Sequence, residues 1–382
     1  MVLYYLCENS RNDKIRNMGK NPFKFGTIVS DPYFTDRVAE KERVLSVISS
    51  SNHLIVISPR RYGKTSLIFK VLEQTKRPVI ALDLQLVTSV EDFAAQLLKR
   101  VFRIYPFEKL RLLVRNFRLI PTISLNPVSN QVDISFQPSA APLPMLEDVL
   151  NLIESLSTEK SKVVIVFDEF QEAEKLKPHM MPQLRSVMQQ HTMINYIMMG
   201  SQESMMQEIF EKKKSPFYHF GNLLPLGKIP RKEFRDYLEA GFSVFDPLPE
   251  GFCDRILDFT ASHPYYTQQL AFIAWDFLNR NLPKDEVIQY AIQDIARVHD
   301  MDYERLWSGF NRTDRKLLIG LSVSGLMPTS EAFYRTYDLG APSTVFSSLK
   351  RLSRDGFVTR AGRNYEIEDP FFCYWIKERR ER

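Results

Sequence analysis

A glycine, a lysine and a threonine in succession, Gly63-Lys64-Thr65, close the polar run best placed to do chemistry in this 382-residue chain. The run Ser58-Pro59-Arg60-Arg61-Tyr62-Gly63-Lys64-Thr65 keeps the spacing G-x-x-x-x-G-K-S/T, with Ser58 standing where the first glycine would be. That spacing suits a phosphate. Successive backbone N–H groups turn inward, Gly63 admits close approach, Lys64 reaches the β- and γ-phosphates, and the Thr65 hydroxyl ligates Mg²⁺. A helix beginning at this point adds its positive end. The residues assigned to a nucleotide are therefore Ser58, Pro59, Arg60, Arg61, Tyr62, Gly63, Lys64, Thr65 and Ser66. Ser58 is tolerable if its backbone is not left-handed, since a Cβ there would otherwise cost ~1–2 kcal/mol.

A phosphate loop needs a carboxylate for the metal and a base for the attacking water. The stretch KVVIVFDEFQEA supplies both. Val163 to Phe167 read as a buried central strand, and Asp168 and Glu169 emerge at its carboxyl end, where open α/β sheets bind ligands. Asp168 is assigned to Mg²⁺ and Glu169 to polarising water. A third strand, MINYIMMGS, ends at Ser201. Ser201 or Gln202 there can orient the water or touch the γ-phosphate, and Ser201 serves equally as a helix N-cap. No N-K-x-D guanine-reading run occurs, which favours ATP over GTP. The cofactors expected are ATP and Mg²⁺, and the catalytic set is Glu169, Lys64 and Ser201.

These residues require particular elements. HLIVIS reads as a buried parallel strand and KTSLIFKVLEQTKR as the helix after it, with Leu67, Ile68, Val71 and Leu72 on one face. The fold class is α/β: a P-loop NTPase parallel sheet flanked by helices, then an all-α lid and a C-terminal winged helix-turn-helix. The length suggests two or three domains. The boundaries expected are an N-terminal extension over 1–20, an ATPase domain over 21–228 with an insert at about 108–138, a lid over 229–310 and a winged helix over 311–382. Met18 follows a polar, basic stretch, so translation is expected to begin there, with residues 1–17 as an extension or a disordered tail.

Apolar residues at 44% and charged residues at 25% are ordinary globular values, and the net charge of +5 permits an acidic partner without demanding one. Cys7, Cys253 and Cys373 are scattered and odd in number, so neither a metal site nor a disulfide framework is expected and a reducing cytoplasm fits best. No apolar run reaches transmembrane length, and no membrane partner is expected.

Taken together these motifs resemble the archaeal-type ATPase family, a prokaryotic group of AAA+-like ATPases. YFTDRVAEKERVLSVISS is similar to its opening F-x-D/G-R-x-x-E segment through Phe34, Arg37 and Glu40. SPRRYGKTSL, VFDEFQE and GSQESMM resemble its phosphate loop, its Mg²⁺ strand and the strand and helix that follow. In SPFYHFGNLLPLGKI, Asn222 stands where relatives often carry arginine, so no arginine sensor is assigned. TASHPYYTQQLA resembles the G-x-P-type element of the helical lid, with Ala261-Ser262 where small glycines are common. The resemblance implies an ATP-driven switch, and His263 and Pro264, at a helix start, are candidates to touch adenine.

In the tail, Thr313 is a candidate N-cap for the helix carrying Leu317, Leu318 and Leu321. The helix around APSTVFSSLKRLSR is read with Val345, Phe346, Leu349 and Leu352 inward. Ser343, Thr344, Ser347, Ser348, Lys350, Arg351 and Arg354 then face outward. A two-stranded wing follows around AGRN. If the wing domain binds duplex DNA, Lys350, Arg351, Arg354, Arg360 and Arg363 meet phosphates; the preferred reading is packing, or contact with a protein partner or a second copy. In the insert, Arg111, Arg115 and Arg118 sit at helical spacing before a hairpin around NPVSN, for which a partner contact is one reading and a solvated face the other. Two functions compete: an ATPase whose turnover resets a switch, and an ATP-gated DNA-binding regulator in which turnover is slow or absent. A small-molecule kinase is disfavoured by the winged-helix tail.

Overall fold

The computed structural model describes residues 19–380, apart from 30, 36, 126–131, 140 and 363. Met18, the NPVSN turn and Arg363 lie outside the described residues. The chain divides into two compact units. One is Arg37–Gly227; the other joins the stretch before Arg37 to everything from Lys228 onward.

The first unit is a parallel α/β sheet. Its elements run α1 (Val38–Ile48), β1 (Leu54–Ile57), α2 (Lys64–Thr75), β2 (Val79–Asp83), α3 (Val90–Ile104), α4 (Phe107–Val114), β3 (Thr122–Leu125), β4 (Val132–Ser135), α5 (Leu143–Leu156), β5 (Val163–Asp168), α6 (Ala173–Leu176), α7 (Met180–Met188), β6 (Ile194–Gly200), α8 (Glu203–Phe210) and β7 (Asn222–Pro225). The sheet order is β2-β5-β6-β1-β7, with every pairing parallel. Buried on both faces, the central strands read as unbroken apolar runs, and all of β1 and β6 is inaccessible. Ile57 lies opposite Gly200 and Asp83 opposite Asp168, so the carboxyl ends of β1, β5 and β6 open on one edge.

The stretch expected as an insert holds the helix α4 and two strands, β3 and β4, that pair antiparallel, Thr122 opposite Ser135. The basic stripe is shorter than its spacing suggested. α4 ends at Val114, and Arg118 lies beyond it, ion-paired with Glu147 and Asp148 at 2.7 Å each.

The second unit is helical: α9 (Arg231–Phe242), α10 (Phe252–Thr260), α11 (Pro264–Asn279), α12 (Val287–Val298), α13 (Asp300–Gly309), α14 (Arg312–Val323), α15 (Glu331–Thr336), α16 (Pro342–Arg354), the wing β8 (Val358–Ala361) and β9 (Asn364–Ile367), and α17 (Pro370–Arg380). One apolar core runs from Phe23 and Phe234 through Leu270 and Ile295 to Leu317, Leu349 and Trp375. The expected lid and winged helix thus share a core. Residues 21–36, expected with the ATPase domain, cluster here instead. Phe23 is buried with its ring 4.7 Å from that of Phe242, and Asn21 Nδ2 donates to the Phe272 carbonyl at 3.0 Å. Gly241 makes the fit possible, since a Cβ there would meet Phe23 Cζ at 2.4 Å.

Three details of the winged helix depart from expectation. Asn311, not Thr313, caps α14, its side chain accepting from Asp314 N at 2.9 Å. Phe346 points to solvent, 61% exposed, while Ser348 is buried. The inward stripe of α16 is Val345, Ser348, Leu349 and Leu352, and a serine fits it because Asp314 lies beneath, accepting from Ser348 Oγ at 2.7 Å. Arg351 closes the same knot, with Nη2 2.5 Å and Nε 3.3 Å from the Asp314 carboxylate. Arg351 is therefore engaged inside the domain. Arg354 Nε likewise donates to Asp355 at 2.9 Å, and Arg360 Nε to the Gly362 carbonyl at 3.0 Å.

Asp314 is only 3% exposed, so removing its guanidinium partner strands a carboxylate that Ser348 alone cannot satisfy. Arg351→Ala is expected to lower the stability of this unit by about 1–3 kcal/mol, read as a lower urea midpoint. An unchanged midpoint would mean the pair contributes nothing to the fold.

Candidate functional site

The loop from Ser58 to Gly63 leaves β1 and feeds α2, whose first residue is Lys64. Positive φ values fall at Arg61 (66°) and Gly63 (87°), and Ser58 is not among the left-handed residues. Ser58 is buried, and its N–H donates to the Gly200 carbonyl at 3.3 Å, continuing the ladder past β1. The first position of the loop thus needs no glycine. Gly63 is needed for its backbone angle, since a Cβ there would meet nothing within 4 Å.

Lys64 is 6% exposed, and Nζ donates to the carbonyls of Ser58 and Pro59 at 3.0 Å each. Burial pushes its pKa below the usual lysine value, and the carboxylates of Glu169 and Asp168 partly offset that. A phosphate would satisfy this buried cation better than two neutral carbonyls do. Arg60 and Arg61 are exposed, Tyr62 is buried, and Thr65 and Ser66 are half-buried.

Asp168 comes to Thr65 across β6. Thr65 Oγ1 donates to Asp168 Oδ2 at 3.1 Å. Burial, and next the charge of Glu169, raise the Asp168 pKa, while the Thr65 hydroxyl works against them. A hydroxyl and a carboxylate are hard oxygen donors that suit Mg²⁺. Among the described residues no cluster of three or more His, Cys, Asp or Glu side chains could hold a metal ion.

Glu169 takes a left-handed backbone (φ 50°), with its N–H donating to Asp168 Oδ1 at 3.0 Å. Its Oε2 accepts from Ser201 Oγ at 2.7 Å, Ser201 N at 3.2 Å and Gln171 Nε2 at 2.5 Å. Ser201 is thus bound to Glu169, and the helix cap falls to Gln202, which makes no side-chain capping bond.

Two matches to family models fall on these regions. An AAA domain matches residues 47–205 and a probable winged helix domain residues 301–378. The chain thus carries an AAA domain followed by a probable winged helix domain. Among solved structures, this chain resembles a Walker-type ATPase of Pyrococcus abyssi at TM-score 0.66 and 16% identity, over 93% of this chain and 99% of that one. It also resembles the ORC2 protein of Aeropyrum pernix in its ADPNP–ADP complexes, at TM-score 0.52 and 13% identity, over 93% and 98%. At such identities the likeness establishes the fold. No curated protein matches the sequence.

Within the AAA+ domain the structure brings together Ser58, Lys64, Thr65, Asp168, Glu169 and Ser201. His263 and Pro264 belong to the other unit and have work there. His263 Nδ1 accepts from Tyr265 N at 3.2 Å to cap α11, and Nε2 lies 3.1 Å from Glu368 Oε1. Both residues are buried, and both ring nitrogens of His263 are engaged.

Sequence reasoning passed over two residues in this domain. Arg37 is buried, and its Nη2 donates to the carbonyls of Tyr62 (3.1 Å) and Gly227 (2.8 Å) while Nη1 meets Glu40 at 2.9 Å. It braces the loop from behind. The family-like opening segment contained it without suggesting that role. The other is Gln171.

Proposed function

We propose that the chain binds ATP with Mg²⁺ and hydrolyses it as the resetting step of a conformational switch, with Glu169 as the base. The observation that carries this reading is the Thr65–Asp168 hydrogen bond at 3.1 Å with Glu169 next in the chain. A hydroxyl and a carboxylate are already side by side at the carboxyl edge of the sheet, and a second carboxylate is fixed beside them. Thr65 and Asp168 would hold Mg²⁺, Asp168 through water; when bound, the ion neutralises charge developing on the phosphate oxygens. Lys64 would exchange its two carbonyl partners for phosphate oxygens. The N–H groups from Arg60 to Ser66 would line the phosphates, and Glu169 would take the proton of the attacking water.

The winged helix is read as a packing element that shares the helical core, and as a surface open to a protein partner or a second copy. Duplex DNA is the less supported partner, because Arg351, Arg354 and Arg360 already have acceptors in the domain. Among the described residues no helix is long and apolar enough to cross a membrane, and the cytoplasm is the compartment proposed.

Phosphate release measured with Mg²⁺ or EDTA, and with or without random duplex, tests both readings. Mg²⁺-dependent release that duplex leaves unchanged is expected. No release above the Lys64→Ala background would sink the ATPase reading. Turnover that appears only with duplex, together with salt-sensitive duplex binding, would favour the DNA-gated regulator.

A further inference from the structure

Gln171 has no assigned task, yet it is 1% exposed and sits against the carboxylate proposed as the base. Its Nε2 donates to Glu169 Oε2 at 2.5 Å. Its Oε1 is buried with no partner among the described residues. Turning the amide over would place an oxygen against a carboxylate oxygen, which is repulsive, so the NH₂ must face Glu169 and the oxygen is left stranded. A buried, half-satisfied amide is unfavourable on its own account. Its retention here matches a task at Glu169 better than a contribution to packing.

The seat for this amide comes from β6. A Cβ on Gly200 would lie 2.5 Å from Gln171 Oε1 and 2.3 Å from Met206 Sδ. Glycine at the end of this strand is what admits the side chain. Phe170 and Ala173, on either side, are fully buried and anchor this turn in the core. Phe170 packs on Phe210 and Phe217 with ring centroids 5.6 and 5.3 Å away.

Resting on the hydrolytic reading above, we propose that Gln171 is the positioning residue for Glu169. Three donors, one from Gln171 and two from Ser201, converge on Oε2. Among the described residues no donor reaches Oε1. The carboxylate is therefore held by one oxygen with the other left open to water. Ser201 alone would fix it from one side. Gln171, in the single 3-10 turn Phe170–Glu172 that follows β5, approaches from another direction and removes the remaining rotation. Gly200 also joins this assembly to the phosphate loop, since its carbonyl accepts from Ser58 N.

Gln171→Met keeps the volume and removes the donor. It is expected to lower kcat about tenfold through misplacement of the base, with the Kd for ATP unchanged. Gly200→Ala, which crowds the amide without altering any group that touches nucleotide, should reproduce that loss, and the double variant should lose no more than either single one. Wild-type kcat in Gln171→Met, or a loss that appears equally in ATP affinity, overturns the positioning role. A second measurement does not depend on turnover. The Gln171 side-chain NH₂ resonances, assigned by their absence in Gln171→Met, should exchange slowly and collapse toward solvent-like shifts in Glu169→Ala. Solvent-like NH₂ signals in the wild type overturn the bridge whatever the hydrolysis rate. Absence of wild-type hydrolysis would instead overturn the ATPase reading, with these signals deciding the bridge.

Discussion

Lys64→Ala is expected to weaken ATP binding by at least about tenfold, the equivalent of one charge-assisted bond worth roughly 1.5–3 kcal/mol. Two effects compete in that number. The ammonium donates to the carbonyls of Ser58 and Pro59, so its removal also loosens the loop. The loss of those two bonds appears in unfolding as well as in binding. The phosphate contribution appears in binding alone. It is the larger because a cation already disfavoured by burial meets a multiply charged anion in a partly desolvated loop. Calorimetric titration with ATP, set beside a thermal melt without nucleotide, separates the two. Unchanged affinity would refute the assignment of phosphates to this loop.

Much of this site could be read in the sequence because it sits at the ends of buried strands. In a parallel sheet covered on both faces, composition marks the strand, and the first polar residue past it marks the edge. Asp168 and Ser201 are legible in that way, and Ser58 through the spacing of the phosphate loop. What could not be read depends on atoms that pattern does not carry. Gln171 looks like one more polar residue after a strand, and its burial follows from Phe170 and Ala173 on either side and from the missing Cβ of Gly200. The glycine before Ser201 was the one available signal for that close approach. Likewise α16 has its apolar stripe where periodicity puts it, yet Phe346 lies outside the stripe and Ser348 within it. Period alone ranks phenylalanine above serine for burial. The order reverses because Asp314, a helix away, supplies the acceptor that makes a buried serine and a tied-down Arg351 stable. The grouping of the described residues before Arg37 with the helical unit has a related origin. Their fit to the helical core is a contact between Phe23 and Gly241, more than two hundred residues apart, which no local spacing reports.

Glu169→Gln should leave Mg²⁺–ATP bound while hydrolysis falls by roughly 10²–10⁴, the share ordinarily supplied by a general base. Glutamine keeps the shape of the side chain, and its amide oxygen can still accept from Ser201 and Gln171, so the local packing should survive. It cannot take a proton from water. Asp168→Asn should behave differently. The carboxylate of Asp168 already carries the cost of burial beside Glu169, a cost that a bound cation relieves. Removing its charge therefore weakens Mg²⁺-dependent nucleotide binding itself and leaves the base in place. Measuring the ATP dissociation constant with Mg²⁺ or EDTA for each variant, together with single-turnover hydrolysis at saturating ATP, separates the two roles. Glu169→Gln should show near wild-type affinity with the rate gone. Asp168→Asn should lose the difference between Mg²⁺ and EDTA. If both variants turn over ATP at the wild-type rate, the division of labour between these neighbouring carboxylates is wrong, and the hydrolytic base must be sought elsewhere along the carboxyl edge of β5 and β6.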